Sequence, residues 1–173
     1  GYPPQFVFRN NVMATFNILQ AATDYEIKNV VIAGSLSALG LAYKTHPIQL
    51  DYLPIDERHP VVAQDAYGIS KIVDEDVALG FSRRNPDMSI LNLRLPLLAK
   101  PGAIQEQLRN QTPGHINSGE LVLWSYLDVR DAATVVRQSL EYNTPGHEIL
   151  YVNAPETYMS TPTIDLVEQY FPN

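Results

Sequence analysis

Four side chains in the sequence have the types needed to move a proton on an alcohol or carbonyl oxygen. Ser35 and Ser37 lie in "GSLSALG", and Tyr67 and Lys71 stand four apart in "DAYGISK". Residues four apart on a helix share a face, so a phenol and an ammonium would sit side by side with two loop hydroxyls near them. A free phenol has a pKa of about 10, and bringing it to about 7 takes roughly 4 kcal/mol of preferential stabilisation of the phenolate. One solvent-exposed cation supplies only about 0 to 1 kcal/mol. A sheltered cleft, the ammonium and a second positive group, such as an oxidised nicotinamide ring, can together reach that figure. The chemistry therefore asks for a cofactor. A plainer reading of the same residues also stands: a helix start with a snorkelling Lys, and Ser with Gly as turn formers.

These groups meet only if the surrounding elements place them together. Val12, Phe16, Leu19 and Ala22 recur at helical spacing and indicate a helix over roughly 10–25. "VVIA" is a short β-branched run suited to a strand covered on both faces, and it runs into the Ser35/Ser37 loop. Residues 41–65, with Pro47, Pro54 and Pro60, read as a long irregular connection. A second helix follows over 67–84, with Ile69, Val73, Val77 and Phe81 on its apolar face and Arg83 and Arg84 at its end. "MSILNLRLPLL" indicates a strand ending near Pro96, and residues 99–120 a loop with a short helical piece. "LVLWSYL" reads as a strand. "DVRDAATVVRQSLEY" reads as a helix capped by Asp128 with Asp131 in its first turn. The strand "EILYVNA" and a last helix, with Thr161 as cap and Pro162 at the first helical position, complete the order. Such alternation of helix and strand predicts an α/β fold with a mostly parallel sheet. In such sheets the ligand crevice lies beyond the C-terminal ends of the strands, where Ser35, Ser37 and the start of the Tyr67 helix fall.

Composition narrows the partners. The 173 residues carry a net charge of −7, which argues against nucleic acid or an anionic membrane and favours a small-molecule substrate. No Cys is present, so disulfides and thiolate metal sites are excluded. The four His, at 46, 59, 115 and 147, lack the paired spacing of a metal site. A cytoplasmic location is expected, since no apolar run approaches the ~20 residues of a membrane span.

"NNVMATFNILQAA", "VVIAGSLSALG", "DAYGISK" and "YLDVRDAA" occur in the order found in the extended short-chain dehydrogenase/reductases, and over residues 8–170 the chain resembles that family of epimerases and dehydratases. The resemblance implies a Rossmann-like fold, NAD or NADP as cofactor, hydride transfer at a carbinol carbon of a nucleotide sugar or related substrate, and a homodimer. It implies Tyr67 as acid/base, Lys71 on the nicotinamide ribose and lowering the Tyr pKa, and Ser35 on the reacting oxygen. It further implies Asn11 and Pro96 near the cofactor and Ser37 facing substrate; a plain helix cap is the other reading of Asn11. The dehydratase subgroup places an acidic pair after the strand, where this chain has Ser35, Leu36 and Ser37, which points away from simple dehydration. The family's Gly-rich pyrophosphate turn has no counterpart within the sequence and is expected before Gly1, with the rest of the substrate lobe after Asn173. Residues 1–98 are then a partial cofactor-binding core, and 99–173 complete the sheet and part of a substrate lobe. Two functions follow: an NAD(P)-dependent epimerase or oxidoreductase, or a non-catalytic remnant serving as a structural or interaction module.

Overall fold

The first helix, α1 (Pro4–Asp24), starts at Pro4 rather than near residue 10, because a proline at the first helical position lacks only an N–H that would have no partner there anyway. The structure, a computed structural model, describes residues 1–104, 106 and 119–172. Strand β1 (Asn29–Ala33) follows, and the chain returns through helix α2 (Ala66–Arg84) to strand β2 (Ser89–Arg94). Asp65 caps α2, its Oδ1 accepting from the N–H groups of Tyr67 and Gly68 at 2.9 and 3.0 Å. After β2 come the short strands β3 (Leu97–Ala99) and β4 (Tyr126–Asp128), helix α3 (Val129–Glu141), strand β5 (Gly146–Tyr151) and helix α4 (Thr163–Tyr170).

Strands β1, β2 and β5 form a parallel sheet in that order, with Val31 opposite Leu91 and Leu91 opposite Glu148. The central strand β2 is buried along its whole length, its polar Ser89, Asn92 and Arg94 included, as a strand covered on both faces is. One core lies between this sheet and the helix pair, where Leu19 and Ala22 of α1 meet Ala78 and Phe81 of α2 over Val30, Ile32 and Ile90. A second core gathers Ala99, Ile104, Trp124, Tyr158 and Leu166. Among the described residues no helix is long and apolar enough to cross a membrane.

The strand in "MSILNLRLPLL" ends at Arg94, near Pro96 as expected, and a short one follows it: Pro96 has no N–H to continue a ladder, and beyond it β3 leaves the main sheet to pair in parallel with β4. Three expectations need correction. "LVLWSYL" is not one strand. Gly119–Val122 forms a 3₁₀ turn, and Leu123 and Trp124 take left-handed backbone angles, φ 53° and 50°. That reversal drops the Trp124 ring into the second core beside Tyr170 and Phe171, over Gly119, where any Cβ would strike the Trp124 and Tyr158 side chains. Thr161 caps nothing: Pro162 is itself the cap residue of α4, without a side-chain bond. The apolar face read on α2 is only half buried, because Phe81 faces the core while Ile69 is exposed. The first turns of α2 instead turn Gly68, Ser70, Asp74 and Glu75 inward. The loop and helical piece expected over 99–120 fall largely outside the described residues, as does His115.

Candidate active site

The end of β1 is drawn close to β2, and this sets up the crevice. A Cβ on Gly34 would lie 2.9 Å from the carbonyl oxygen of Leu93, so only glycine lets the two chains approach there. Just beyond, Ser35 takes an extended backbone and caps the 3₁₀ turn Leu36–Leu39, its Oγ accepting from Ser37 N at 3.1 Å. Leu36 N bonds the Leu95 carbonyl at 2.9 Å, tying this turn to the end of β2. Gly40, with φ 92°, ends the turn. Helix α2 starts against it, and a Cβ on Gly68 would come within 2.7 Å of the Ser37 carbonyl oxygen.

These contacts wall a cavity of about 830 Å³ beyond the C-terminal ends of β1 and β2, a size suited to a small-molecule ligand. Ser35, Ser37, Tyr67 and Pro96 all line it. Tyr67 is partly buried, and its ring meets that of Tyr43 edge to face at 6.3 Å. Tyr43 comes from the long connection and also lines the cavity.

Lys71 and Asn11 stand behind this lining. The Lys71 ammonium is 5.8 Å from the Tyr67 ring centroid, on the same side of α2. It donates to the carbonyl of Ala33, the last residue of β1, at 3.0 Å, and lies 3.4 Å from Oδ2 of Asp74. Asn11 does not cap α1, which starts seven residues earlier. Its Nδ2 donates to Ser70 Oγ at 2.9 Å, and Ser70 in turn donates to the Tyr67 carbonyl at 2.7 Å. Asn11 thus steadies the turn of α2 that carries the phenol.

The sequence reading missed the groups that fix α2 to the sheet. Arg94, at the end of β2, is bidentate to Glu75, with Nε–Oε1 and Nη2–Oε2 both 2.8 Å, and its Nη1 donates to Tyr151 Oη at 2.9 Å. Burial alone would pull the guanidinium pKa down, but the Glu75 hydrogen bonds and charge hold it above its ordinary value. Tyr151 is pushed up by burial, against the opposing pull of Arg94. One signal for this pair was legible: an Arg among the leucines and isoleucine of "SILNLRL" must find a buried partner, and Glu75 lies four residues after Lys71 on one helix face. A hydroxyl, a phenol and an ammonium around one crevice can hold a substrate oxygen and exchange its proton.

The family model described as the NAD dependent epimerase/dehydratase family matches residues 2–152. The chain belongs to this family. Its relatives include a Methanocaldococcus jannaschii protein provisionally named a UDP-glucose 4-epimerase, 38% identical over 73 residues, which are 42% of this chain and 22% of that protein. A UDP-glucose 4-epimerase of Cyamopsis tetragonoloba is 31% identical over 91 residues, 53% of this chain and 23% of the relative. The solved structure of the UDP-Glc/GlcNAc 4-epimerase of Campylobacter jejuni superposes with a TM-score of 0.68 at 16% identity, covering 96% of this chain and 56% of that one. That last likeness is one of fold. The chain thus spans little more than half the length of this epimerase/dehydratase structure.

Proposed function

We propose that the protein containing this chain is an NAD(P)-dependent epimerase acting on a nucleotide sugar, with Tyr67 as the acid/base. The observation that carries the reading is the single cavity lined by Ser35, Ser37, Tyr67 and Pro96 with the Lys71 ammonium 5.8 Å from the phenol ring. The named relatives favour a 4-epimerase over other members of the family.

The donors present fit the nicotinamide half of such a cofactor: an ammonium, a phenol and a serine hydroxyl at the C-terminal end of a parallel sheet, where dinucleotides bind in α/β folds. Lys71 and Tyr67 would hold its ribose, and Pro96 would border the ring. When bound, the cofactor takes a hydride from a carbinol carbon and returns it. Tyr67 Oη accepts the proton of that carbinol as the hydride leaves and returns it afterwards, as a positioned general base and acid does. Ser35 Oγ hydrogen-bonds the same substrate oxygen and holds it in line with the phenol. Lys71, fixed by the Ala33 carbonyl, keeps a positive charge beside the developing phenolate. Ser37, on the cavity wall, faces the sugar. Asn11 acts through Ser70 on the placement of Tyr67 rather than on the cofactor. The exposed apolar residues of α1, Phe6, Met13, Phe16 and Ile18, support a homodimer in which they are covered.

The test is to incubate the full-length protein with NAD and UDP-glucose and follow the sugar by NMR. Interconversion of the two C4 epimers is expected. Saturable NAD binding with no change at C4 for any nucleotide sugar would refute the epimerase reading, and no cofactor binding at all would favour the non-catalytic module.

A further inference from the structure

Asp74 is an acidic group in contact with Lys71 that the proposed reaction leaves unused. Its side chain is fully buried on the inner face of α2, its Oδ2 lies 3.4 Å from Lys71 Nζ, and its Oδ1 has no hydrogen-bond partner. A buried carboxylate with one oxygen unpaired is costly, so the contact with Lys71 invites a reason beyond fastening the helix. Fastening is already supplied one residue on, where Glu75 and Arg94 make two 2.8 Å bonds to each other. Beside that pair, a single 3.4 Å contact is a weak fastener.

We propose that Asp74 is a positioning residue for Lys71, holding its ammonium at the end of β1 and offsetting part of the positive field that Lys71 exerts on Tyr67. The inference rests on the acid/base reading of Tyr67. The ammonium is shared between the Ala33 carbonyl and the Asp74 carboxylate, so it is held from two sides. Tyr67 therefore faces a cation already partly neutralised from behind.

The other charged or titratable groups around this cluster stay as they are. Asp65 caps α2 below Tyr67, with Oδ2 unpartnered. Tyr43 meets Tyr67 from the long connection. From β2, the Arg94 charge is matched by Glu75, and from α1 the neutral Asn11 engages Ser70. Removing the Asp74 charge thus changes one term. Residues seven apart on a helix are about 10 Å apart along its axis, and a unit charge at about 10 Å in an effective dielectric of about 20 moves a titration by about one pH unit.

The test uses the full-length protein, without cofactor. The ultraviolet phenolate absorbance is titrated for the parent and for Tyr67→Phe, and their difference isolates the Tyr67 midpoint. The pair is repeated in an Asp74→Asn background, with Asp74→Ser as a second neutral variant and circular dichroism as a check on folding. Removing the carboxylate stabilises the phenolate, so the midpoint is expected to fall by about one unit in both variants, and the acid limb of the turnover profile of the full-length enzyme to move down with it. A Tyr67 midpoint that stays in place in either folded variant overturns the proposal while leaving the Tyr67 reading intact. Unfolding of both variants overturns it as well, since the carboxylate would then serve the fold. If Tyr67→Phe leaves turnover unchanged, the acid/base reading falls, and this inference with it.

Discussion

The Glu75–Arg94 pair offers the sharpest test of how the fold holds its site. Both side chains are nearly buried, 8% and 4% exposed, and two parallel 2.8 Å bonds join them. Replacing Glu75 by Gln keeps the shape and removes the charge, so Arg94 is left buried with only Tyr151 Oη and one amide oxygen to receive its donors. Removing one partner of a buried pair costs about 3 to 5 kcal/mol, because the remaining charge loses its compensation. For a domain whose whole stability is about 5 to 15 kcal/mol, that is a large fraction. Urea unfolding followed by circular dichroism is the assay, and Glu75→Gln should bring the midpoint down sharply. The double variant Glu75→Leu/Arg94→Met, which removes both charges, should lie much closer to the parent, since paired charges replaced together by apolar groups are often neutral. A loss below about 1 kcal/mol in Glu75→Gln, or a double variant as unstable as the single, would refute the reasoning.

Two further outcomes follow from local geometry. Gly68→Ala places a Cβ 2.6 Å from Ala63 Cβ and 2.7 Å from the Ser37 carbonyl oxygen, and overpacking of this kind costs about 1 to 3 kcal/mol; thermal unfolding should show it, with turnover falling as well because the start of α2 must move. Asp128, which caps α3, has its pKa lowered to about 2, first by the side-chain hydrogen bond from Arg130 and then by the Arg130 backbone N–H. A depressed carboxylate contributes stability that is present above its ordinary pKa of about 4 and lost as the pH falls through its folded value. Acid unfolding should therefore carry a component between about pH 4 and 2 that Asp128→Asn removes.

Much of this architecture could be read from residue order. "VVIA" before a Ser-rich loop, and Tyr67 with Lys71 opening a helix, indicated both the parallel sheet and the side of it on which the crevice lies. The failures share a cause: they sit where one residue's tertiary environment overrides local pattern. The apolar run around Trp124 has strand composition, but the indole is buried over Gly119 in the second core, which the left-handed turn at Leu123 and Trp124 allows. The interval-of-four face of α2 missed Ser70, Asp74 and Glu75, because polar residues turn inward only when Asn11, Lys71 and Arg94 are there to meet them, and two of those partners, Asn11 and Arg94, lie on other elements. Pro96, read as the end of a strand, proved to be the break between two sheets. Asn11 was legible as a residue near the site, but its bond to Ser70 rather than to the cavity depends on how α1 and α2 pack.

The most direct test of the central claim is the turnover of Tyr67→Phe in the full-length protein, with NAD affinity measured alongside. Loss of a positioned acid/base should lower kcat by about 10²-fold or more, while cofactor affinity changes far less, since Tyr67 loses only its hydroxyl and Lys71 and the cavity walls remain. Turnover within a few-fold of the parent would contradict the account and remove Tyr67 from the chemistry.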